Sequence, residues 1–380
     1  MGRTIRVVVL SGALVTALVG WGSIVAAGEP PAAADLLGRL TTEEVEPGVF
    51  RVLSDGVHDL ASMAPDSVRA GLDGSVWVVG GGGFVRLGDE PTHTWPDEDW
   101  EPWRTILAVG TDGRVWGGGT RESGASVLLS SFDGSTWEVH RVDDPPHGSF
   151  IGPLEAGGAL WLASSDDWTV AGSWTLERYD GSRWQVLASL PVVPTFLGVA
   201  ATGDVFTIGW PSWGDPSWSL QRYRDGAWHQ VEIEPEVPTG GWTLGADGTL
   251  WSHTPVGGPL QQVLGRLEGD AWTTWGEQAV GEFDANLPVG YVAAPDGALW
   301  IAEKVRTLGP FEPPVTCQGV ARFDGTRLER FLESLCIRFI DVGPDGSAWL
   351  LADEPDTLAP PDPVHLYAIT REALSETPAT

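Results

Sequence analysis

Seven times along this chain a glycine is followed three residues later by an aromatic ring, and the seven glycines stand 39 to 49 residues apart. The pairs are Gly74 with Trp77, Gly113 with Trp116, Gly158 with Trp161, Gly203 with Phe206, Gly248 with Trp251, Gly297 with Trp300 and Gly346 with Trp349. A period of that length in strand-forming residues means small β-sheets repeated around an axis, one sheet per period. The expected fold is all-β, a seven-bladed β-propeller of four-stranded antiparallel blades.

The fourth repeat shows how a blade is written. Phe196 to Ala201 is a short apolar run, Thr202-Gly203 turns it, and Asp204 to Gly209 returns. A looser stretch rich in Trp, Pro and Gly leads to Ser219–Arg224, then Asp225-Gly226 turns the chain into Ala227 to Ile233. Asp-Gly between two strand-like runs is a strong hairpin signal and calls for positive φ at both central residues. Each repeat is therefore a meander of strands A to D from the axis outward. A second turn recurs at Asp133-Gly134, Asp180-Gly181, Asp225-Gly226, Glu268-Gly269 and Asp324-Gly325, with Trp137, Trp184, Trp228, Trp272 and Leu328 just after it. Large side chains at these phases are expected to fill the wedges between blades.

The ends fix how the ring closes. After Trp349 one good strand remains, His365 to Thr370, so the last blade lacks strand D. The alternating run Val49–Leu53 can supply it; Asp55-Gly56 imitates a C–D turn, so two strands from each end is a second way of closing. Ahead of this, Arg3 and Arg6 precede an uncharged stretch from Val7 to Ala27 ending in small residues. That is the pattern of an export signal, and its length also suits an uncleaved membrane anchor. The expected division is 1–27 signal peptide or anchor, 28–44 flexible tether, 45–372 propeller and 373–380 disordered tail.

The repeats Pro295-Asp-Gly-Ala-Leu-Trp-Ile-Ala-Glu303 and Gly343-Pro-Asp-Gly-Ser-Ala-Trp-Leu-Leu351, with Arg178-Tyr-Asp-Gly181 and Arg322-Phe-Asp-Gly325, resemble the two-component-regulator propeller repeats. They are also similar to those of streptogramin B lyase-like propellers. The resemblance covers nearly the whole chain past the export segment and implies the fold. Its motif residues are turn and wedge positions, so it carries over no catalytic residue.

In a meander blade the A–B and C–D turns share one face of the disk, and the B–C and D–A connections share the other. Here the first set is short and monotonous and the second long and irregular, so a site is expected on the second face. Its candidate ligand-binding residues are Asp166, Asp167, Trp168 and Trp174 in blade 3, and Trp210, Trp213, Asp215 and Trp218 in blade 4. Flat rings beside carboxylates suit a sugar ring or a cation. The same rings have a plainer use, packing on one another as a small loop core. Cys317 and Cys336 fall on this face in neighbouring blades, and an even count in an exported chain points to a disulfide.

Chemistry is sparsely written. Glu138-Val139-His140 is the only Glu-x-His, on outer strand D of blade 2, and Ser131 to Trp137 resembles a shortened sialidase Asp-box, which is a turn. His93, His147 and His253 are dispersed and read as surface histidines. No catalytic residue, metal site or cofactor is expected. With 52 acidic against 22 basic residues the net charge is −30, which disfavours nucleic acid and anionic lipid. The expectation is a secreted or extracytoplasmic monomer that binds a small molecule, carbohydrate or protein without catalysis; the alternative is a lyase or hydrolase at the channel mouth.

Overall fold

The computed structural model describes residues 33–371, leaving out 55–64, 72, 81–82, 89–92, 94–99, 111, 122–126, 144–148, 157–158, 166, 168, 180–182, 213–214, 216, 236, 238, 254–263, 277–287, 306–315 and 354–363. In it, strand A becomes strand B by one recurring turn. Gly71 N donates to the Ser75 carbonyl at 2.7 Å and Gly74 N to the Gly71 carbonyl at 2.9 Å, with Gly74 at φ 77°. The turn is closed by a left-handed residue, a conformation in which glycine carries no Cβ penalty. The same pair of bonds recurs at Gly110–Arg114, Ala200–Asp204, Gly245–Thr249, Ala294–Ala298 and Gly343–Ser347. The aspartate accepts from the amide two residues on, as Ser75 N does to Asp73 and Ser347 N to Asp345. The expected two-residue turn with both centres at positive φ occurs at the C–D turn of blade 4, at Asp225 (53°) and Gly226 (82°).

Seven sheets follow one another along the chain. Blade 1 comprises Pro65–Ala70, Val76–Gly80 and Gly83–Arg86, with His93 bridged to Phe84 in the strand D position. Blade 2 is Trp100–Val109, Val115–Arg121, Val127–Phe132 and Trp137–Asp143. Blade 3 is Ser149–Ala156, Ala159–Ser165, Trp174–Tyr179 and Trp184–Ser189. Blade 4 is Val193–Val199, Val205–Trp210, Ser219–Arg224 and Ala227–Val231. Blade 5 is Gly241–Leu244, Leu250–His253, Leu264–Glu268 and Ala271–Trp275. Blade 6 is Pro288–Ala293, Leu299–Val305, Thr316–Phe323 and Leu328–Phe331.

Blade 7 takes Cys336–Val342, Ala348–Asp353 and Val364–Ile369 from the end of the chain. Its strand D is Val49–Ser54, paired antiparallel to Val364–Ile369 with Val52 opposite Leu366. Thr41–Glu46 then adds a fifth strand outside it. The stretch expected to be a tether is thus built into the fold from Ala33 onward. Ala33–Leu37 is a short helix whose Leu36 and Leu37, with Leu40, are buried against Val52, Leu87 and Trp349. Tertiary burial of these leucines, not helix propensity, holds so short a helix. The export segment, the remainder of the tether, the tail and Asp55-Gly56 lie outside the described residues, among which no helix is long and apolar enough to cross a membrane.

Among the described residues the core is divided into seven buried clusters, and each lies between two neighbouring blades. One of them, holding Val68, Val78, Trp349 and Leu366, joins blade 7 to blade 1 and so closes the ring. The repeat-phase aromatics of strand B are all buried: Trp77, Trp116, Trp161, Phe206, Trp251, Trp300 and Trp349. The strand D rings are only half-buried, Trp184 among them, because the wedge between blades widens toward the rim and water reaches it. Trp184 therefore fills its wedge only in part, short of the full burial expected at its phase.

Opposite the strand B aromatic, strand C places an arginine. Arg178 lies 5.3 Å over Trp161, Arg222 lies 5.2 Å over Phe206, and Arg266 lies 5.3 Å over Trp251. The guanidinium extends the wedge while its charge reaches the face of the turns, where Arg86 meets Asp73 and Arg322 meets Asp296.

Candidate functional site

Blade 4 brings two of the candidate tryptophans together. Strands B and C are paired up to Gly209 and Ser219, so Trp210 and Trp218 are the next residues out on either side of the B–C loop. Their rings lie 5.0 Å apart at 43°, and both are half-buried. Trp218 also leans on the cluster of Phe196, Ile208, Leu220 and Trp242 between blades 4 and 5. The rings therefore pack on each other and still show part of their surface. Below Trp218 runs a groove of about 470 Å³, walled by Leu220, Val231 and Ile233 and edged by the polar Gln230 and Glu232.

The two described loop carboxylates are turned into their own loops. Asp215 accepts from Ser217 Oγ at 2.6 Å and Ser217 N at 2.8 Å, and these bonds, the hydroxyl first, hold its carboxyl below the usual range. Asp167 accepts from Thr169 Oγ1 at 2.6 Å and Thr169 N at 3.0 Å. Both shape backbone before they can meet a ligand.

Trp174 does not belong to a site. It opens strand C of blade 3, is 3% exposed, and sits in the core between blades 3 and 4 with Trp161 and Leu176. Asp166, Trp168 and Trp213 lie outside the described residues.

Cys317 and Cys336 are bonded to each other with Cα atoms 4.6 Å apart. Cys317 is near the start of strand C of blade 6 and Cys336 begins strand A of blade 7, so the bridge ties two blades on the irregular face.

Two of the described histidines, His253 and His140, occupy structural places. His253, read from sequence as a surface residue, is 6% exposed and stacks on Tyr291 at 3.8 Å between blades 5 and 6. Gly241 is required beneath it, since a Cβ there would overlap the imidazole. His140 Nε2 lies 2.7 Å from Ser131 Oγ and 3.8 Å from Glu138 Oε2, with its ring 4.6 Å from Trp116. Ser131 is 1% exposed, so no substrate reaches this hydroxyl. Blade 2 instead uses His140 beside Trp116 where blades 3, 4 and 5 use arginine. Burial pushes the His140 imidazole below its ordinary range, with Glu138 pulling the other way.

Adjoining the groove below Trp218, and sharing Gln230, Val231 and Glu232 with it, lies a groove of about 620 Å³ that the sequence did not suggest. Arg222 and Arg224 cross it, and both donate to the buried Asp204. Trp272 of blade 5 reaches back and donates its indole N–H to the Glu232 carbonyl at 2.9 Å. The signal available in sequence was the arginine standing two residues after Leu220 and again at Arg224, ahead of the turn; only the fold shows that both converge on Asp204.

No known family model matches this chain, and no curated protein does. Some solved structures are similar to part of it. The extracellular domain of a putative one-component system from B. thetaiotaomicron is 10% identical with a TM-score of 0.49, over 83% of this chain and 42% of that one. The β-propeller domain of the Trilobed protease from Pyrococcus furiosus is 10% identical with a TM-score of 0.48, over 77% and 84%. A gluconolactonase from Xanthomonas campestris is 13% identical with a TM-score of 0.38, over 92% and 98%. The chain spans less than half the length of the first of these. At such identities the likeness is one of fold.

Proposed function

We propose that this chain is an exported, monomeric, non-catalytic propeller that binds a carbohydrate on the irregular face of blade 4. The observation that carries the reading is the half-exposed pair Trp210 and Trp218 at the head of a groove edged by Gln230 and Glu232. Indole faces take the C–H surface of a sugar ring while amide and carboxylate take its hydroxyls. Export is supported by the N-terminal pattern and by the Cys317–Cys336 bridge, which persists in oxidising compartments. The monomer is supported by the charge of −30, which makes like copies repel.

The test is a panel of soluble gluco-, manno-, xylo- and chito-oligosaccharides, read by indole fluorescence and calorimetry. Saturable binding that Trp210→Ala and Trp218→Ala both abolish is the expected result. Binding that neither substitution changes, or silence across the panel, overturns the reading. The mass of the secreted chain separates cleavage after Ala27 from an uncleaved anchor.

A further inference from the structure

The blade 4 rim has a second feature, which adjoins the carbohydrate groove and shares Gln230, Val231 and Glu232 with it. We propose that its outer edge takes up an extended lysine- or arginine-bearing segment of a partner protein as a fifth strand. Ala227–Val231 is the last strand of its sheet. It joins strand C through the two-residue turn Asp225-Gly226, with Arg224 opposite Ala227 and Arg222 opposite His229. Because inward and outward pairs alternate in an antiparallel ladder, the main-chain groups of Trp228 and Gln230 point away from the sheet.

Proteins usually blunt such an edge with lysine, proline or a bulge. This strand contains neither residue, and its pairing runs without the register shifts found at the rims of blades 2 and 3. Blade 7 shows that the fold accommodates the addition, since Thr41–Glu46 already lies outside Val49–Ser54 as a fifth strand.

Charge selects the occupant. The groove beside the edge exposes the carboxylates of Asp225, Glu232, Glu234 and Asp270. Of its two guanidiniums, Arg224 is turned onto Asp204, and Arg222 is shared between Asp204 and Asp270, the latter at 3.5 Å. Asp225, Glu232 and Glu234 thus carry most of the uncompensated charge. The half-buried Trp272 stands among the carboxylates and offers an indole face to a cation. A second copy of this chain brings the same negative charge and is repelled, whereas a basic strand gains both the ladder and the ion pairs.

The experiment uses the full secreted chain and three fluorescent peptides of about eight residues, the length of an ordinary strand. One alternates Lys and Val, one alternates Glu and Val, and one is the Lys–Val peptide N-methylated at alternate amides. The expected result is that Lys–Val binds, Glu–Val does not, and N-methylation weakens binding about tenfold or more, since it removes ladder donors and keeps the charge. Joint Glu232→Lys and Glu234→Lys substitution, and separately Gln230→Pro, which an edge position tolerates, are each expected to weaken it similarly. Trp210→Ala is expected to leave it unchanged, so failure of the carbohydrate reading is seen separately. An N-methylated peptide that binds as well as its parent, a charge-reversed chain that binds normally, or no binding of Lys–Val overturns the proposal.

Discussion

The backbone amide of Ala70, on the inner strand of blade 1, donates a 2.9 Å hydrogen bond to Asp341 Oδ2 on the inner strand of blade 7. Asp341 also accepts from its neighbour Val342 N at 2.9 Å, and Arg69 lies buried beside it over the Phe339 ring. Burial lowers the Arg69 guanidinium to about 10 against the pull of Asp341. Burial likewise raises the Asp341 carboxyl, against Arg69 and the two amides. First and last blade are thus joined by a pair in which each charge is tolerated because the other is present.

Removing one partner is therefore expected to cost more than removing both. Arg69→Met leaves a buried carboxylate uncompensated, a loss of about 3–5 kcal/mol. The double change with Asp341→Asn is expected to fall well short of the sum of the single ones. In Arg69→Met the Asp341 carboxyl holds its proton still more firmly than in the unfolded chain. Its stability is then expected to improve on acidification toward the ordinary carboxylate range and to fall as pH rises through the raised value. Urea denaturation at several pH values checks both; additive costs would show that the two groups are uncoupled.

The N-terminal clamp makes a graded prediction. Leu36 and Leu37 are buried at the seam of blades 7 and 1, and Ala33 N donates to Asp345 Oδ2 at 2.6 Å in a blade 7 turn. Leu37→Ala is expected to cost about 2–5 kcal/mol. A chain starting at Thr41 should stay folded with a lower melting temperature, because Val49–Ser54 still closes the ring. A chain starting after Ser54 should lose near-ultraviolet circular dichroism, since blade 7 then has no strand D.

Core and site tryptophans are expected to fail in opposite assays. Trp251 is 1% exposed, stacks on Trp275 at 5.5 Å, and donates to the Gly297 carbonyl at 3.2 Å across the seam to blade 6. Trp251→Ala is expected to cost about 3–5 kcal/mol through the cavity it leaves. Trp210→Ala should barely move stability and should abolish carbohydrate binding. Equal destabilisation by both would make Trp210 a packing residue.

What sequence could and could not say follows from where each signal lives. The wedge ring and its glycine are three residues apart, so blade count and phase were legible at Trp77 as at Trp349. Strand D of blade 7 was legible because the alternation at Val49–Leu53 is local. The helix at Ala33–Leu37 was not, because its stability resides in Val52, Leu87 and Trp349, far away in the chain. Trp174 was misplaced because nothing in Trp168 to Trp174 marks where loop ends and strand C begins; burial against blade 4 decides it. The arginines over the rings were visible as letters, but their meaning is a cross-strand register, Trp251 opposite Arg266, that only pairing reveals.

The C–D turn of blade 2 gives the pH prediction. Asp133 accepts from Thr136 N at 2.8 Å, Ser135 N at 2.9 Å, Ser135 Oγ at 2.9 Å and Thr136 Oγ1 at 3.2 Å. These bonds, the Thr136 amide first, hold its carboxyl well below the usual range although it is open to solvent. A group whose folded-state pKa is depressed contributes stability that is complete above its unfolded value and lost as pH falls through the folded one. The melting-temperature gap between the parent chain and Asp133→Ala is therefore expected to be constant from pH 7 to about 5 and to close progressively below about 4, the unfolded carboxylate value. Asp133→Asn keeps an acceptor without the charge, so its melting point should lie between the two at pH 7, and the parent should approach it as the carboxyl takes up its proton. A gap that stays constant to pH 2, or widens, would show that Asp133 holds the turn by shape and not by its charge.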